Sequence, residues 1–240
     1  MSESCSASVR EKDLCIYCNS AFSTRRGDHV PPQSFFKRNR GFALLQVPCC
    51  IECNNKVSSI DQQIRNFIVA LDQNSTHPIL TEELHATMVR DWEDPGRARQ
   101  FVRHFVDIEA IKNSNAGQFK PPEEMTDREF EALKIPLQTD FILQEFGERM
   151  IRALFYNDYG VRITGRFQRK VRLKSQLNEP LVQEVEALKA VYPLHSFGGN
   201  AFRWFTVWNK PKGTLIGWMQ FYEGTEIVTL LGAEQLLEGR

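Results

Sequence analysis

The chain has 240 residues, 42% of them hydrophobic, enough to bury the core of one large domain or of a small domain joined to a larger one. Its 30 basic and 30 acidic residues cancel, which excludes a uniformly basic nucleic-acid binder and leaves any polyanion affinity to local patches. No stretch has the apolar length to cross a bilayer, and Met1 to Arg10 lacks the apolar run of a secretory signal, so a cytoplasmic protein without membrane association is expected.

In chain order, the first residues are small and polar and read as a loose terminus, with order beginning near Asp13. From Cys15 to about Ser59 the sequence is irregular, broken by Gly27, Pro31, Pro32, Gly41 and Pro48, as in a module too small to hold itself by apolar burial. Val57, Ile60, Ile64, Phe67, Ile68 and Leu71 then recur at three- and four-residue spacing, which predicts a helix with one apolar face. Leu84 to Lys112 also reads as helical, interrupted at Asp94-Pro95-Gly96. A further helix carries the stripe Phe141, Ile142, Phe146, Met150, Ile151, Leu154 and Phe155 and stops near Gly160.

Three runs rich in aromatic and β-branched residues follow, Phe202 to Trp208, Thr214 to Tyr222 and Thr225 to Leu231, split by turn residues. They predict an antiparallel meander, apolar on both faces and therefore covered by helices on at least one. The fold class is α+β. A zinc-stapled module spans 1–72, and a helical region ending in the meander spans 73–240. Residues beyond about Asp72 are expected to recognise substrate or a partner without joining the chemistry.

All six cysteines fall in the first quarter of the chain, four of them as Cys15-Ile-Tyr-Cys18 and Cys50-Ile-Glu-Cys53. Two C-x-x-C pairs supply the four thiolates of a closed tetrahedral structural zinc site. Cys49 is a rival for Cys50, although only Cys50 reproduces the two-residue gap; Cys5 lies in the terminus. The roughly thirty residues between the pairs exceed the interval of a plain zinc ribbon and carry Asp28-His29-Val30-Pro31-Pro32. Neighbours on a strand point to opposite sides, so Asp28 can offer a carboxylate to a cation while His29 approaches a phosphate separately. Asn54-Asn55-Lys56 follows Cys53 at a helix start, where free amides favour an anion and an amide oxygen can ligate a hard metal.

In this order the motifs resemble the HNH (ββα-metal, His-Me finger) endonuclease superfamily in its four-cysteine, zinc-containing form. The resemblance covers about a quarter of the chain and extends to Asp28-His29-Val30-Pro31-Pro32-Gln33-Ser34-Phe35, which is similar to the Asp-His strand of RNA-guided DNA nucleases. It implies a metal-dependent hydrolase of phosphodiester bonds, in DNA before RNA. Asp28 and Asn54 would hold a catalytic Mg²⁺ or Mn²⁺, His29 would be the general base, and zinc would be structural. Such proteins serve in restriction, phage defence and mobile elements, so a homodimer or a defence-system partner is expected. The family's middle Asn falls near Ala43, with Gln46 and Asn39 as off-spacing substitutes, which keeps open a catalytically degenerate nucleic-acid-binding or protein-interaction module.

Arg25, Arg26, Lys37, Arg38 and Arg40 bracket the Asp-His pair and, with Lys56, are expected to contact phosphates. Arg162, Arg166, Arg169, Lys170, Arg172 and Lys174 form a second basic run that either tracks a nucleic-acid backbone or faces solvent. His77, His85, His104 and His195 lack ligand spacing, and Trp204, Trp208, Trp218 and Phe221 are assigned to packing.

Overall fold

A computed structural model describes residues 14–21, 26–36, 41–71, 77–80, 84–97, 137–163 and 167–232. Near the N-terminus, β1 (Arg26–Val30) pairs antiparallel with β2 (Leu45–Cys49), placing Asp28 opposite Val47 and His29 opposite Gln46. The pleat divides the pair: Asp28, Val30, Val47 and Cys49 are buried, whereas Gly27 and His29 are half-buried and Gln46 is exposed. A Cβ on Gly27 would lie 2.1 Å from Cγ of Gln46, so the glycine lets the Gln46 side chain cross the strand.

Helix α1 (Ile51–Leu71) leaves directly from β2 and buries Ile64, Phe67 and Ile68, the centre of the predicted stripe, while Leu71 stays exposed. It is joined to α2 (His85–Glu93) by a buried ion pair between Arg65 and Asp91, to which Asn66 also donates. The helix expected from Leu84 does break at Asp94; its continuation beyond Arg97 lies outside the described residues.

Helix α3 (Leu137–Tyr159) occupies the centre, packing against α1, β1 and β2 on one side and against the larger sheet on the other. It ends at Gly160, where φ of +68° turns the chain and the N–H closes on the Tyr156 carbonyl at 2.8 Å. The larger sheet is antiparallel and five-stranded, in the order β3 (Gln168–Leu173), β7 (Glu226–Gly232), β6 (Thr214–Phe221), β5 (Phe202–Asn209), β4 (His195–Phe197). The three-strand meander is thus extended on both edges.

Helix α4 (Glu179–Val191), capped by Asn178 with Pro180 in its first turn, covers the face opposite α3. Alternation along β5 explains why both faces are apolar: Phe202 and Trp204 join the cluster under α3, Phe205 and Val207 the one under α4. That α3-side cluster also draws on Ile16, Val30, Phe35 and Val47, so one buried core runs across residue 72. Phe35 is its link, lying 5.7 Å from Phe146 and 5.3 Å from Phe221 between ring centroids, with its carbonyl accepting from the Tyr222 hydroxyl at 2.6 Å.

The seat of α3 on the sheet leaves no spare volume at Gly147, where a Cβ would meet the two γ-methyls of Val171 at 2.5 and 2.7 Å. Gly147→Ala is therefore expected to destabilise the protein by roughly 1–3 kcal/mol, despite alanine's better helix propensity. Urea unfolding checks this; an unchanged or raised midpoint would mean that α3 can shift off β3.

Candidate functional site

The first cysteine pair sits in a tight knuckle. Leu14 bridges to Ala21, the Cys15 N–H reaches the Ser20 carbonyl, and Asn19 takes φ of +59° to complete the reversal. The Ile16 N–H donates to the Pro48 carbonyl at 3.1 Å, which ties this knuckle to β2. The second pair straddles the start of α1, where the Cys53 N–H points at Sγ of Cys50, 3.4 Å away.

The sulfur atoms of Cys15, Cys18, Cys50 and Cys53 consequently lie within 4.8 Å of one another, and Sγ of Cys18 and Cys50 are 3.7 Å apart. A tetrahedral zinc–thiolate site with bonds of about 2.3 Å has a sulfur–sulfur edge of about 3.8 Å. The tetrad can therefore hold a metal ion. Among the described residues, no other group of three or more His, Cys, Asp or Glu side chains converges in this way.

Cys49 is outside this set: its buried thiol donates to the Cys50 carbonyl at 3.2 Å. Interaction with the neighbouring Cys49 side chain holds the Cys15 thiol down to about 3, while burial pushes the Cys50 and Cys53 thiols up. Deprotonating four such sulfurs together is unfavourable without a cation, because each thiolate would repel the next.

Asp28 and His29 leave β1 on opposite faces, as strand geometry requires. The Asp28 carboxylate, 5% exposed, points into the seam between β1 and α3. Its Oδ2 accepts from the Tyr17 hydroxyl at 2.6 Å and from Nη1 of Arg149 at 3.2 Å. Arg149 is itself buried and also pairs with Asp61 of α1. Burial raises the Asp61 carboxyl to about 7, against the opposing pull of the Arg149 guanidinium. Both bonds described for Asp28 end on Oδ2, and none ends on Oδ1.

His29 is half-buried, with Nε2 3.0 Å from Nε2 of Gln33. In the tautomer whose Nε2 is unprotonated, that atom accepts from the Gln33 amide. Asn54 sits in the first turn of α1, where its N–H closes on the Cys50 carbonyl and no described hydrogen bond engages its side-chain amide. Lys56 is exposed on the same helix. Ala43 is exposed in the loop before β2, whereas Gln46, off-spacing in the sequence, is the direct cross-strand neighbour of His29.

Of the basic residues bracketing the motif, Arg25, Lys37, Arg38 and Arg40 lie outside the described residues, and Arg26 is described only as the first residue of β1. In the second basic run, two of the cations are answered by carboxylates. Arg169 pairs with Glu145 and Glu148, and Lys174 with Glu186 and Glu226. Arg166 and His104 are outside the described residues. His77 is buried, and His195 stacks on Trp204 at 5.0 Å. Trp204, Trp218 and Phe221 are core; Trp208 is 37% exposed.

Tyr17, Asp61 and Arg149 went unrecognised at the sequence level. One signal existed: Arg149 interrupts the apolar stripe between Phe146 and Met150, and a charge at a core position implies a buried partner. Comparison with known proteins adds no relative, since no family model, curated protein or solved structure matches the chain.

Proposed function

We propose that this protein is a zinc-stapled, metal-dependent endonuclease of the HNH kind, cutting DNA in preference to RNA. The observation that carries this reading is the frame: the convergent cysteine tetrad ties the Asp28-His29 strand to the helix start that bears Asn54. Stapling alone needs no Asp-His pair and no amide at those positions.

In this reading zinc occupies the tetrad and braces the frame. Asp28, through Oδ1, and Asn54 are the hard oxygen donors that would hold Mg²⁺ or Mn²⁺. Such an ion, when bound, supplies Lewis-acid stabilisation of charge at the phosphate and the leaving 3′ oxygen. His29 accepts the proton of the attacking water at Nε2, once that water displaces the Gln33 amide. Gln46, opposite His29, takes the bracing place of the amide absent at Ala43. Lys56 and the basic residues around the motif neutralise phosphates. One site makes one nick, so a double-strand break calls for two copies of the chain.

A second reading, a nucleic-acid-binding module without catalysis, is favoured by the single departure at Ala43 and by the burial of Asp28. Incubation with supercoiled plasmid separates the two. The nuclease is expected to produce open circles with Mg²⁺ or Mn²⁺ and none in excess chelator that leaves the zinc in place. Gel shifts without cleavage of any DNA or RNA, with any divalent ion, would establish the binder.

A further inference from the structure

Contacts from α3 and from the first cysteine knuckle meet at one carboxylate of β1. Arg149 reaches Oδ2 of Asp28, the Tyr17 hydroxyl reaches the same atom, and Arg152 donates to the Tyr17 carbonyl at 3.2 Å and the Ile163 carbonyl at 2.6 Å. Tyr17 lies between the ligand candidates Cys15 and Cys18, and Arg149 is anchored in turn by Asp61 of α1. We infer that Tyr17 and Arg149 form a clamp that sets the Asp28 carboxylate to receive a divalent cation through its other oxygen, which makes Arg149, 121 residues away in sequence, a positioning residue of the site. This inference rests on the nuclease reading.

Stability alone is a poor reason for the arrangement. A buried guanidinium between two carboxylates gains little over apolar side chains of the same volume, because desolvation offsets most of the attraction. Orientation is a better one. With both donors on Oδ2, the carboxylate plane is fixed before any cation arrives, and the ordering cost is removed from the binding step. The expected distribution of labour also changes: α3, placed by sequence in the recognition region, holds a residue of the chemistry in register.

Electrostatics and orientation make opposite predictions for Arg149, which permits a clean test. Removing the Arg149 charge relieves repulsion of a nearby cation, so simple electrostatics expects Arg149→Gln to bind it more tightly. A clamp expects weaker binding. Tyr17→Phe changes no charge and isolates orientation.

The test is Mn²⁺ binding by zinc-loaded, full-length protein, followed by electron paramagnetic resonance, with Asp28→Asn identifying the signal that belongs to the site. Tyr17→Phe and Arg149→Gln are expected to keep their zinc and weaken that signal's affinity by about tenfold, with partial recovery in Arg149→Lys. A purely structural role would lower thermal stability while leaving the affinity of folded protein unchanged, and this outcome in Tyr17→Phe overturns the clamp. Should the Arg149 variants fail to fold, Tyr17→Phe decides alone. A wild type that binds no Mn²⁺ beyond Asp28→Asn removes the nuclease reading and the clamp with it, a result distinct from intact binding that ignores Tyr17.

Discussion

On the nuclease reading, replacing His29 with alanine is expected to lower phosphodiester cleavage by about two or more orders of magnitude, the usual contribution of a positioned general base, while zinc content and unfolding midpoint barely move. The asymmetry follows from the place of the residue. His29 is on the half-exposed face of the β1–β2 pair, and its Nε2 meets the side chain of the exposed Gln33. Truncation there opens no core cavity. His77 is the contrasting case: it is buried, faces the Gly199 carbonyl at 3.3 Å and accepts from the Ile79 N–H. His77→Ala should cost stability and leave the chemical step of the remaining folded protein alone. Single-turnover cleavage at saturating protein, alongside thermal unfolding of both variants, makes the comparison. Equal rates for wild type and His29→Ala would show that another group takes the proton, and the HNH mechanism would have to be abandoned for this chain.

The second large effect is expected from the cysteines. Purified protein should carry about one zinc per chain, and Cys50→Ser should lose it together with several kcal/mol of stability, a fall in melting temperature on the order of 10 °C for a chain this long. Structural zinc contributes its binding energy directly to folding, and here it would join the first knuckle to the start of α1. Cys49→Ser is the control. Its sulfur lies outside the tetrad and donates to a carbonyl, so the hydroxyl of serine can keep the bond and the metal should stay. Loss of zinc in Cys49→Ser but not in Cys50→Ser would exchange the two ligands; thiols whose loss changed neither metal content nor stability would end the zinc reading.

The interior charges were hidden from the sequence by distance. The partners of Arg149 are Asp28 and Asp61, in other elements entirely, and no local pattern names them. The same limit applies to the basic run at Arg162 to Lys174. Read alone it is six cations in one stretch; folded, β3 is an edge strand beside Glu145, Glu148 and Glu226, and Arg169 and Lys174 are answered within the chain. Gln46 is a milder case, since counting along the chain set it out of place while the antiparallel register put it across from His29.

What the sequence determined by itself is what short-range chemistry controls. Two C-x-x-C pairs bring sulfurs together through their own turns, the stripes of α1 and α3 follow the helical period, and Gly160 ends α3 because its left-handed conformation suits glycine. The meander was legible because its strands are consecutive and its turns short. Only the tertiary structure decided that β3 pairs with β7, Val171 against Thr229, that β4 closes the other edge, and that α4 covers the far face. Strand pairing across that separation is chosen by which apolar faces can be buried together, a property of the assembled core that no window of sequence contains. For the same reason Asp28, legible as a carboxylate beside a histidine, acquired its orientation only when α3 was laid against β1 and Arg149 came within reach.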